Sequence, residues 1–190
     1  MAGLAAAPAA RAQSPTLVFL VRHAEKAAQP ASDPPLTAEG TARANALADV
    51  LAHAGVNAII TTQYLRTRST AAPLAARLGL TIETVPIAPG SASNPQAQGD
   101  ALRAHVQATV DAIRRHAGGA VLVVAHSNTI GAIATALGAP KVPELCDGDY
   151  DQLFVLEMPP TGAVRFARVR FGAPATDPAC RPMRGGAPRP

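Results

Sequence analysis

The sequence predicts an α/β protein, a three-layer α/β/α sandwich whose sheet is mainly parallel, with an antiparallel hairpin at one edge. Two observations support this fold class. Short apolar runs of β composition alternate with segments of helical periodicity along most of the 190 residues, and the last two predicted strands are joined by a short turn. Strands separated by helices pair in parallel and take helices on both faces. The length suits one domain with a sizeable core.

Two strands and two helices are predicted in the first half of the chain. The run "TLVFLV" (16–21) has the composition of a strand buried on both faces, and "NAII" (57–60) is the second strand. The first helix starts after Thr37 as its cap and ends at Gly55. Its buried face is predicted from Leu47, Val50, Leu51 and Ala54.

The second helix includes "LAARL" and stops at Gly79, and Pro73 is expected near its start. A third strand is predicted over "TIETVPI" (81–87). Asp100 is the predicted N-cap of a third helix, which ends in basic residues.

The remaining elements are a buried strand, a short helix and a hairpin. "AVLVVA" (120–125) is the fourth strand, and a helix through "IGAIATAL" ends before Gly138. "QLFVLEM" and "AVRFARVRF" flank "PPTG" and predict the antiparallel hairpin at the sheet edge.

The ends of the chain differ in composition from the domain over 15–172. Residues 1–14 form an Ala-rich leader in which Ala10, Arg11 and Ala12 have the small-x-small form of a signal-peptidase site. We expect a signal-peptide remnant and a periplasmic or secreted protein, with a cytoplasmic leader as the alternative. The Pro-, Gly- and Arg-rich stretch 173–190 is predicted to be disordered. No run approaches the ~18 apolar residues of a membrane span, so no membrane partner is expected.

Charge and cysteine content narrow the function classes. The formal net charge is +4 and the pI is near 9.7. Arg165, Arg168 and Arg170 nevertheless fit a solvated strand face, without the lysine-rich blocks or aromatic interleaving of a nucleic-acid interface. A small anionic substrate is favoured instead. Cys146 and Cys180 are too few for a zinc ribbon, and one disulfide or two thiols remain open, as does the oligomeric state.

Three polar clusters follow predicted strands of the parallel sheet. "RHAEK" follows strand one, "TTQYLRTR" follows strand two and "HSNT" follows strand four. Ligands of such sheets bind beyond the carboxyl ends of the strands. The clusters are therefore expected to meet at one edge.

The residue types in these clusters favour phosphate over metal. A metal site needs carboxylates or thiolates beside its histidines, whereas His23 and His126 have Arg22 and Arg66 for neighbours. Guanidinium groups match phosphate oxygens in a bidentate manner. An imidazole among cations keeps a depressed pKa, stays neutral and can attack phosphorus. No metal and no cofactor are expected.

The motifs together resemble the histidine phosphatase superfamily, also called phosphoglycerate mutase-like. They are "VRHAEK", "DPPLTAEGTARANALADVL" with its Leu-Thr-x-x-Gly, "TTQYLRTRSTA" and "VLVVAHSNT", in this order from about residue 17 to residue 138. The resemblance implies the phosphoglycerate mutase-like fold. It also implies that His23 is the nucleophile, taking the phosphoryl group as a phosphohistidine.

The resemblance further implies that Arg22 and Arg66 bind the phosphate, with Arg68 as the rival of Arg66, and that His126 donates a hydrogen bond to the transferring group. The family's general acid has no obvious counterpart. Ser127 follows the second histidine where an aspartate would have served, which leaves Glu25, Asp100 or no acid. Lys26, Ser127 and Asn128 complete the candidate substrate-binding residues, and Ser127 and Asn128 are also predicted to cap the following helix.

A metal-independent phosphohydrolase acting on a small phosphorylated substrate is the leading expectation. Protonation of the leaving group matters little when that group is already stable. The expected substrate is therefore a phosphoramidate, phosphoanhydride or aryl phosphate, or else a small phosphomonoester assisted by Glu25. A phosphoglycerate mutase-like phosphotransferase and a non-catalytic phosphate-binding or interaction module are the alternatives. Asp147, Asp149 and Asp151 lack the rest of a calcium loop and are expected in turns.

Overall fold

Strands and helices alternate along the residues that the computed structural model describes, 14–88, 95–143 and 145–174. In chain order the elements are β1 (Thr16–Arg22), α1 (Ala38–Leu51), β2 (Ala58–Thr61), α2 (Leu65–Leu78), β3 (Ile82–Thr84), α3 (Pro95–Arg115), β4 (Ala120–Ala125), α4 (Ser127–Ala136), β5 (Gln152–Met158) and β6 (Arg165–Arg170).

The six strands form one sheet in the order β3-β2-β4-β1-β5-β6. The first four in this order pair in parallel, β5 runs antiparallel to β1, and β6 runs antiparallel to β5. The predicted fold class, a mainly parallel sheet with an antiparallel edge hairpin, is confirmed. The neighbouring strands β1 and β4 lie in register with Arg22 opposite Ala125, so their carboxyl ends reach the same edge.

Two hydrophobic layers cover the sheet, one on each face. On one side α1 and α2 contribute Leu47, Leu51 and Leu74, which pack with Val21 and Val124 of the sheet. On the other side the layer is formed by α3 and α4 against alternate sheet residues, among them Val110, Ile113, Ile130, Ile133, Leu20 and Val123. Because both faces are covered, β1 and β4 are buried along their length, as their uninterrupted apolar sequences predict.

Two predicted strand ranges need correction. The second strand covers Ala58–Thr61 rather than 57–60, and the side chain of Asn57 instead accepts the backbone N–H of Ala120 at 3.1 Å. The third strand is only Ile82–Thr84. It is one of the two edge strands and only half-buried, and Pro86 has no N–H to continue the ladder.

The first two helices differ from prediction in the use of single residues. Thr37 caps α1 as predicted, with its Oγ1 accepting the N–H of Gly40 at 3.1 Å. Val50 is 53% exposed, and Arg43 takes a place on the buried face instead. Gly79 ends α2 in the left-handed conformation, as predicted. Pro73 lies well inside this helix rather than near its start, at the loss of one backbone hydrogen bond.

The predicted helix caps at Asp100, Ser127 and Asn128 are wrong. The third helix begins at Pro95, so Asp100 lies within it and pairs with Arg103. The fourth helix begins at Ser127, and its N-cap is His126, whose backbone N–H donates to Thr129 Oγ1 at 3.1 Å. The histidine after β4 therefore sits at the junction of strand and helix.

The predicted leader, nearly all of the predicted tail and Cys180 lie outside the described residues, so their assignments stay predictions. The Ala173 carbonyl, at the start of the predicted tail, accepts a hydrogen bond from Arg43 at 2.9 Å. Within the described ranges, no helix has the length and apolar character needed to cross a bilayer.

Candidate active site

The two candidate histidines meet at the carboxyl edge of the sheet. His23 follows β1 directly, and its backbone N–H donates to the carbonyl of Ala125 at 3.0 Å, which extends the ladder by one bond. His126 follows β4 in the same way. The two imidazole centroids are 5.4 Å apart at an interplanar angle of 66°. Parallel register thus brings together two residues that are distant in sequence.

The tautomer of His23 is set by the backbone. Its Nδ1 lies 2.8 Å from the carbonyl oxygen of Ala24, an acceptor only, so Nδ1 carries the proton. The lone pair is therefore on Nε2. The Ala24 N–H donates to Thr70 Oγ1 at 2.9 Å, and that hydroxyl donates to the Arg66 carbonyl at 2.7 Å. These bonds fix the loop after β1 against α2.

Both histidines are held neutral. Burial, and then the positive charges of Arg22, Arg66 and Lys26, lower the pKa of His23 to about 4, against a partial opposing effect from the Ala24 carbonyl. Burial, followed by His23 and the nearby cations, lowers the pKa of His126 to about 2. A neutral His23 has the free lone pair that a nucleophile needs at ordinary pH.

His126 is oriented by a pair of threonine hydroxyls. Thr67 Oγ1 donates to the carbonyls of Thr62 and Tyr64 at 3.1 and 2.8 Å, so the Thr62 hydroxyl donates to Thr67 across 2.9 Å. Thr62 Oγ1 is then free to accept from His126 Nε2 at 3.1 Å. These hydrogen bonds between the two threonine hydroxyls and His126 place the proton of His126 on Nε2.

Arg22 is anchored through one of its terminal nitrogens. Its Nη1 donates to the carbonyls of Cys146 and Asp147, both at 2.7 Å, and its guanidinium lies 4.2 Å from the centre of the Tyr150 ring. The side chain is 5% exposed. Its Nε is buried and has no hydrogen-bond partner among the described residues.

Arg66 repeats this arrangement from the start of α2. Its Nη1 lies 3.6 Å from a carboxylate oxygen of Asp33, and its guanidinium lies 4.1 Å from the centre of the Tyr64 ring. Its Nε, too, is buried without a partner in the described part of the chain. Arg68, two residues along the same helix, is exposed, whereas Arg66 is half-buried.

The unpaired Nε–H groups of Arg22 and Arg66 are candidate donors to an anion. Arg22 Nη2 also lies 3.5 Å from the Tyr150 hydroxyl and 3.7 Å from Asp147 Oδ1. In a guanidinium group Nε and Nη2 form one edge, opposite the anchored Nη1, and this edge matches two oxygens of a phosphate. A buried N–H without a partner is costly and calls for an acceptor. No group of three or more possible metal ligands occurs among residues 14–88, 95–143 and 145–174. The chemistry of the donors suits an oxyanion.

The structure does not bring Glu25 into the site as an acid. Its carboxylate accepts from Arg43 Nε, with both oxygens at 2.9 Å, and from Arg43 Nη2 at 2.7 Å. Arg43 also donates to the carbonyl of Phe171 at 3.2 Å. Both oxygens of this carboxylate are thus taken up by a buried guanidinium rather than directed to the histidines. Glu25 thus fastens the loop after β1 to α1, where Gly40 leaves room for the Glu25 carbonyl.

The other predicted site residues differ in how close they lie to the two histidines. Asp100 is exposed on α3 and bonded to Arg103, outside the cluster. Ser127 and Asn128 occupy the first turn of α4 beside His126, half-buried and exposed respectively. Lys26 is exposed in the loop after β1, where its backbone bridges to Leu36, and its charge acts on His23.

Sequence reasoning missed four contributors, namely Thr62, Tyr64, Tyr150 and Asp33. Tyr64 packs edge-on against His126 with ring centres 5.6 Å apart, and Tyr150 lies 6.1 Å from His23. One signal was available, since the chain contains only two tyrosines and one lies inside the second polar cluster. Tyr150 sits in the acidic stretch that was assigned to turns.

We expect Glu25→Gln to affect stability rather than catalysis. The glutamine leaves the charge of the buried Arg43 uncompensated, which should lower the free energy of unfolding by about 2 kcal/mol in a urea titration. The ratio of alkyl to aryl phosphate hydrolysis should not change. Asp100→Asn is the control and should change neither quantity. A folded Glu25→Gln protein with a selective loss on alkyl esters would restore the acid role.

We also expect acid to destabilise the protein through the two histidines. Their pKa values are lowered in the folded state, to about 4 for His23, while unfolded histidine titrates near 6.5. Between these values the unfolded chain binds more protons, so stability is complete above about pH 6.5 and is lost as pH falls toward 4. For His23 alone the loss is roughly 3 kcal/mol.

The measurement is the free energy of unfolding in urea from pH 7.5 to 4. His23→Asn should flatten the slope, whereas His53→Asn, at an exposed position, should keep the wild-type slope. Identical slopes in all three proteins would contradict a buried neutral His23.

Comparison with known proteins places the chain in a family context. Residues 18–87 match the model of the histidine phosphatase superfamily (branch 1). That range includes Arg22, His23 and Arg66, while His126 lies beyond it. No curated protein sequence matches the chain significantly.

Several solved structures share the fold. The protein histidine phosphatase SixA complexed with tungstate has a TM-score of 0.61 at 19% identity, over 81% of this chain and 96% of that chain. A mycobacterial glucosyl-3-phosphoglycerate phosphatase with inorganic phosphate gives 0.55 at 20%, over 84% and 98%. Phosphoglycerate mutase from Bacillus anthracis str. Sterne gives 0.60 at 15%, over 83% and 93%. The phosphoglycerate mutase-like fold predicted from the sequence is confirmed.

Proposed function

Because the chain carries the sequence signature and the fold of the histidine phosphatase superfamily, we propose that it is a metal-independent phosphohydrolase. It transfers the phosphoryl group of a small phosphorylated substrate to His23 and then to water. One observation carries the proposal. Two anchored arginines with unpaired buried Nε–H groups flank a neutral histidine whose Nε2 lone pair is free.

Binding uses the unpaired Nε–H groups of the arginines. Arg22 and Arg66 take the non-bridging oxygens of the phosphoryl group, and the His126 Nε2–H moves from Thr62 to one of those oxygens. The charge of a phosphate dianion is thereby balanced without a metal ion. Two structures with the same fold are described as complexes with tungstate and with inorganic phosphate, both tetrahedral oxyanions, which supports an oxyanion site at this edge.

In the first step the Nε2 lone pair of His23 attacks phosphorus. The P–Nε2 bond forms as the bond from phosphorus to the leaving atom breaks, and the electron pair departs with that atom. His23 becomes a phosphorylated imidazolium whose Nδ1–H is held by the Ala24 carbonyl. Fixed donors stabilise the charge that spreads over the equatorial oxygens, so the protein contributes mainly positioning and electrostatics.

In the second step a water oxygen attacks phosphorus from the side that the leaving group has vacated. The P–Nε2 bond breaks, and its electron pair returns to Nε2 as the lone pair of neutral His23. Both protons of the water leave on the product, dihydrogen phosphate. The cycle closes without net oxidation and without a cofactor.

The leaving group must depart without strong acid assistance from the acids that the sequence predicted. Glu25 is bound to Arg43, and Asp100 is bound to Arg103. Phosphoramidates, phosphoanhydrides and aryl phosphates need least help, since their leaving groups are already stable. These are the proposed substrates, ahead of alkyl phosphomonoesters.

The phosphohistidine is the testable intermediate. Wild-type protein incubated briefly with a 32P-labelled acyl phosphate or aryl phosphate and then denatured should retain label that is stable to base and lost in acid. Mass spectrometry should place the label on His23, and His23→Asn should carry none. Chelator in the buffer should change neither the labelling nor the turnover.

The fate of the label separates the alternatives. Release as inorganic phosphate supports the hydrolase. Transfer to an added phosphorylated acceptor, faster than release, would instead indicate a mutase-like phosphotransferase. Absence of both label and hydrolysis, with phosphate still bound, would favour a binding module and refute the proposal.

A further inference from the structure

Each of the two candidate phosphate-binding arginines has a solvent-exposed carboxylate within 4 Å. Asp33 Oδ1 lies 3.6 Å from Arg66 Nη1, and its side chain is 43% exposed. Asp147 Oδ1 lies 3.7 Å from Arg22 Nη2, and its side chain is fully exposed. The two carboxylates come from different loops, one after β1 and the other before β5. We call Asp33 and Asp147 the acidic rim.

The two members of the acidic rim are held in different ways. The two carboxylate oxygens of Asp33 accept the N–H of Leu65, the first residue of α2, at 2.9 and 3.1 Å. Asp147 is held through its backbone, because its carbonyl accepts from Arg22 Nη1 at 2.7 Å, while its carboxylate is fully exposed. The Asp33 charge is therefore fixed beside Arg66, and the backbone of Asp147 keeps its side chain near Arg22.

The arginines remain available to the phosphate in spite of these contacts. The Arg22 side chain is nine-tenths buried, and its Nε has no partner among the described residues. The Nε of Arg66 is unpaired in the same sense. A bound phosphoryl dianion balances the two arginines, and the acidic rim then acts on the part of the substrate that leaves.

We propose that Asp33 and Asp147 make the pocket selective for phosphorylated compounds whose leaving group carries positive charge. The inference rests on the proposed phosphohydrolase function and narrows its substrate class. A small phosphorylated compound with an ammonium or guanidinium group near the scissile bond has the required chemistry. A compound with a second anionic group there meets like charge.

Lys26 carries a charge of the opposite sign near the site. It is exposed in the same loop as Asp33, and its charge acts on His23. Removing the Lys26 charge should therefore shift the substrate preference in the direction opposite to the removal of a carboxylate. A charge about 8 Å from the leaving group, at an effective dielectric between that of a protein surface and that of water, changes the preference by roughly three- to tenfold. Salt should weaken the effect.

The experiment compares two phenyl phosphates, one with a meta-trimethylammonium group and one with a meta-sulfonate group. The measured quantity is the ratio of their kcat/KM values relative to the same ratio for wild type, so the intrinsic reactivity of each compound cancels. Asp33→Asn keeps an acceptor for the Leu65 N–H but loses the charge. The ratio of cationic to anionic substrate should fall three- to tenfold in Asp33→Asn and Asp147→Asn, and further in the double variant.

Two controls give the result its meaning. Lys26→Met should raise the ratio, and Asp49→Asn, which removes a carboxylate paired with Arg77 at the far end of α2, should leave it unchanged. The changes should shrink in 0.5 M salt. Equal losses on both substrates in Asp33→Asn would mean that Asp33 only positions Arg66, and a ratio within twofold of wild type would mean no selectivity; either result overturns the inference.

A binding measurement keeps this test separate from the proposed function. Calorimetric titration of His23→Asn with the same two compounds should show tighter binding of the cationic one, with the preference reduced by Asp33→Asn. If wild type hydrolyses neither compound but this binding preference is present, the proposed function fails and the rim inference stands. If hydrolysis occurs with no preference in rate or binding, the rim inference fails alone. Absence of binding by both compounds overturns it as well.

Discussion

Replacing His23 with asparagine is expected to lower kcat for aryl phosphate hydrolysis by roughly 10⁴-fold or more, because the nucleophile is lost while the binding groups remain. Asparagine is similar in size and polarity, and it cannot form the P–N bond. The measurement is a steady-state assay with a chromogenic aryl phosphate, supported by calorimetric titration with inorganic phosphate. Phosphate binding should stay within about tenfold of wild type, since Arg22 and Arg66 are untouched.

The control for this substitution is His53→Asn, which changes an exposed histidine and should retain full activity. Circular dichroism and urea unfolding should show that both variants are folded. A folded His23→Asn protein with more than about one tenth of the wild-type kcat would mean that His23 is not the nucleophile. Retained binding with lost turnover would separate chemistry from affinity.

Arg66→Met should lower kcat/KM by roughly 10²–10³-fold, as expected for removal of a charged donor that meets the transition-state oxygens. Arg66→Lys should recover only part of this loss. Lysine restores the charge but lacks the planar fork whose Nε is aimed inward here. The assay is the same aryl phosphate hydrolysis, with phosphate affinity measured in parallel.

Arg68→Met is the matched control for this series. It removes an exposed guanidinium only two residues along the same helix, and it should change kcat/KM by less than about threefold. Equal losses in Arg66→Met and Arg68→Met would mean that net positive charge, rather than the buried fork, binds the substrate. Methionine fills a similar length in both cases, so packing differences are kept small.

The groups that follow the parallel strands could be predicted from the sequence, because strand direction determines where they emerge. Arg22 and His23 end the first buried strand, and His126 follows the fourth, so parallel pairing alone brings them to one edge. Arg66 is the second residue of α2, which starts shortly after the second strand. Because these strands are covered on both faces, their sequences are continuously apolar and are readily identified as buried strands.

The contact partners of individual side chains could not be predicted in this way. Glu25 lies close to the nucleophile in sequence, but its partner Arg43 comes from α1, 18 residues later. Tyr150 packs on Arg22 across 128 residues of sequence. Such contacts depend on how helices and loops pack on the sheet, and no local sequence pattern predicts them. The early start of α3 at Pro95 was missed because its first turn lacks an apolar stripe.

Two tyrosine rings pack on the candidate phosphate-binding arginines, so tyrosine fluorescence is expected to report on ligand binding. The chain has two tyrosines and no tryptophan, so its near-ultraviolet absorption and emission arise mainly from Tyr64 and Tyr150. Each ring lies within 4.2 Å of a guanidinium that the ligand must engage. Occupancy of the pocket should therefore change the fluorescence of the unlabelled protein. Rapid mixing could then follow binding, phosphoryl transfer and product release as separate optical phases.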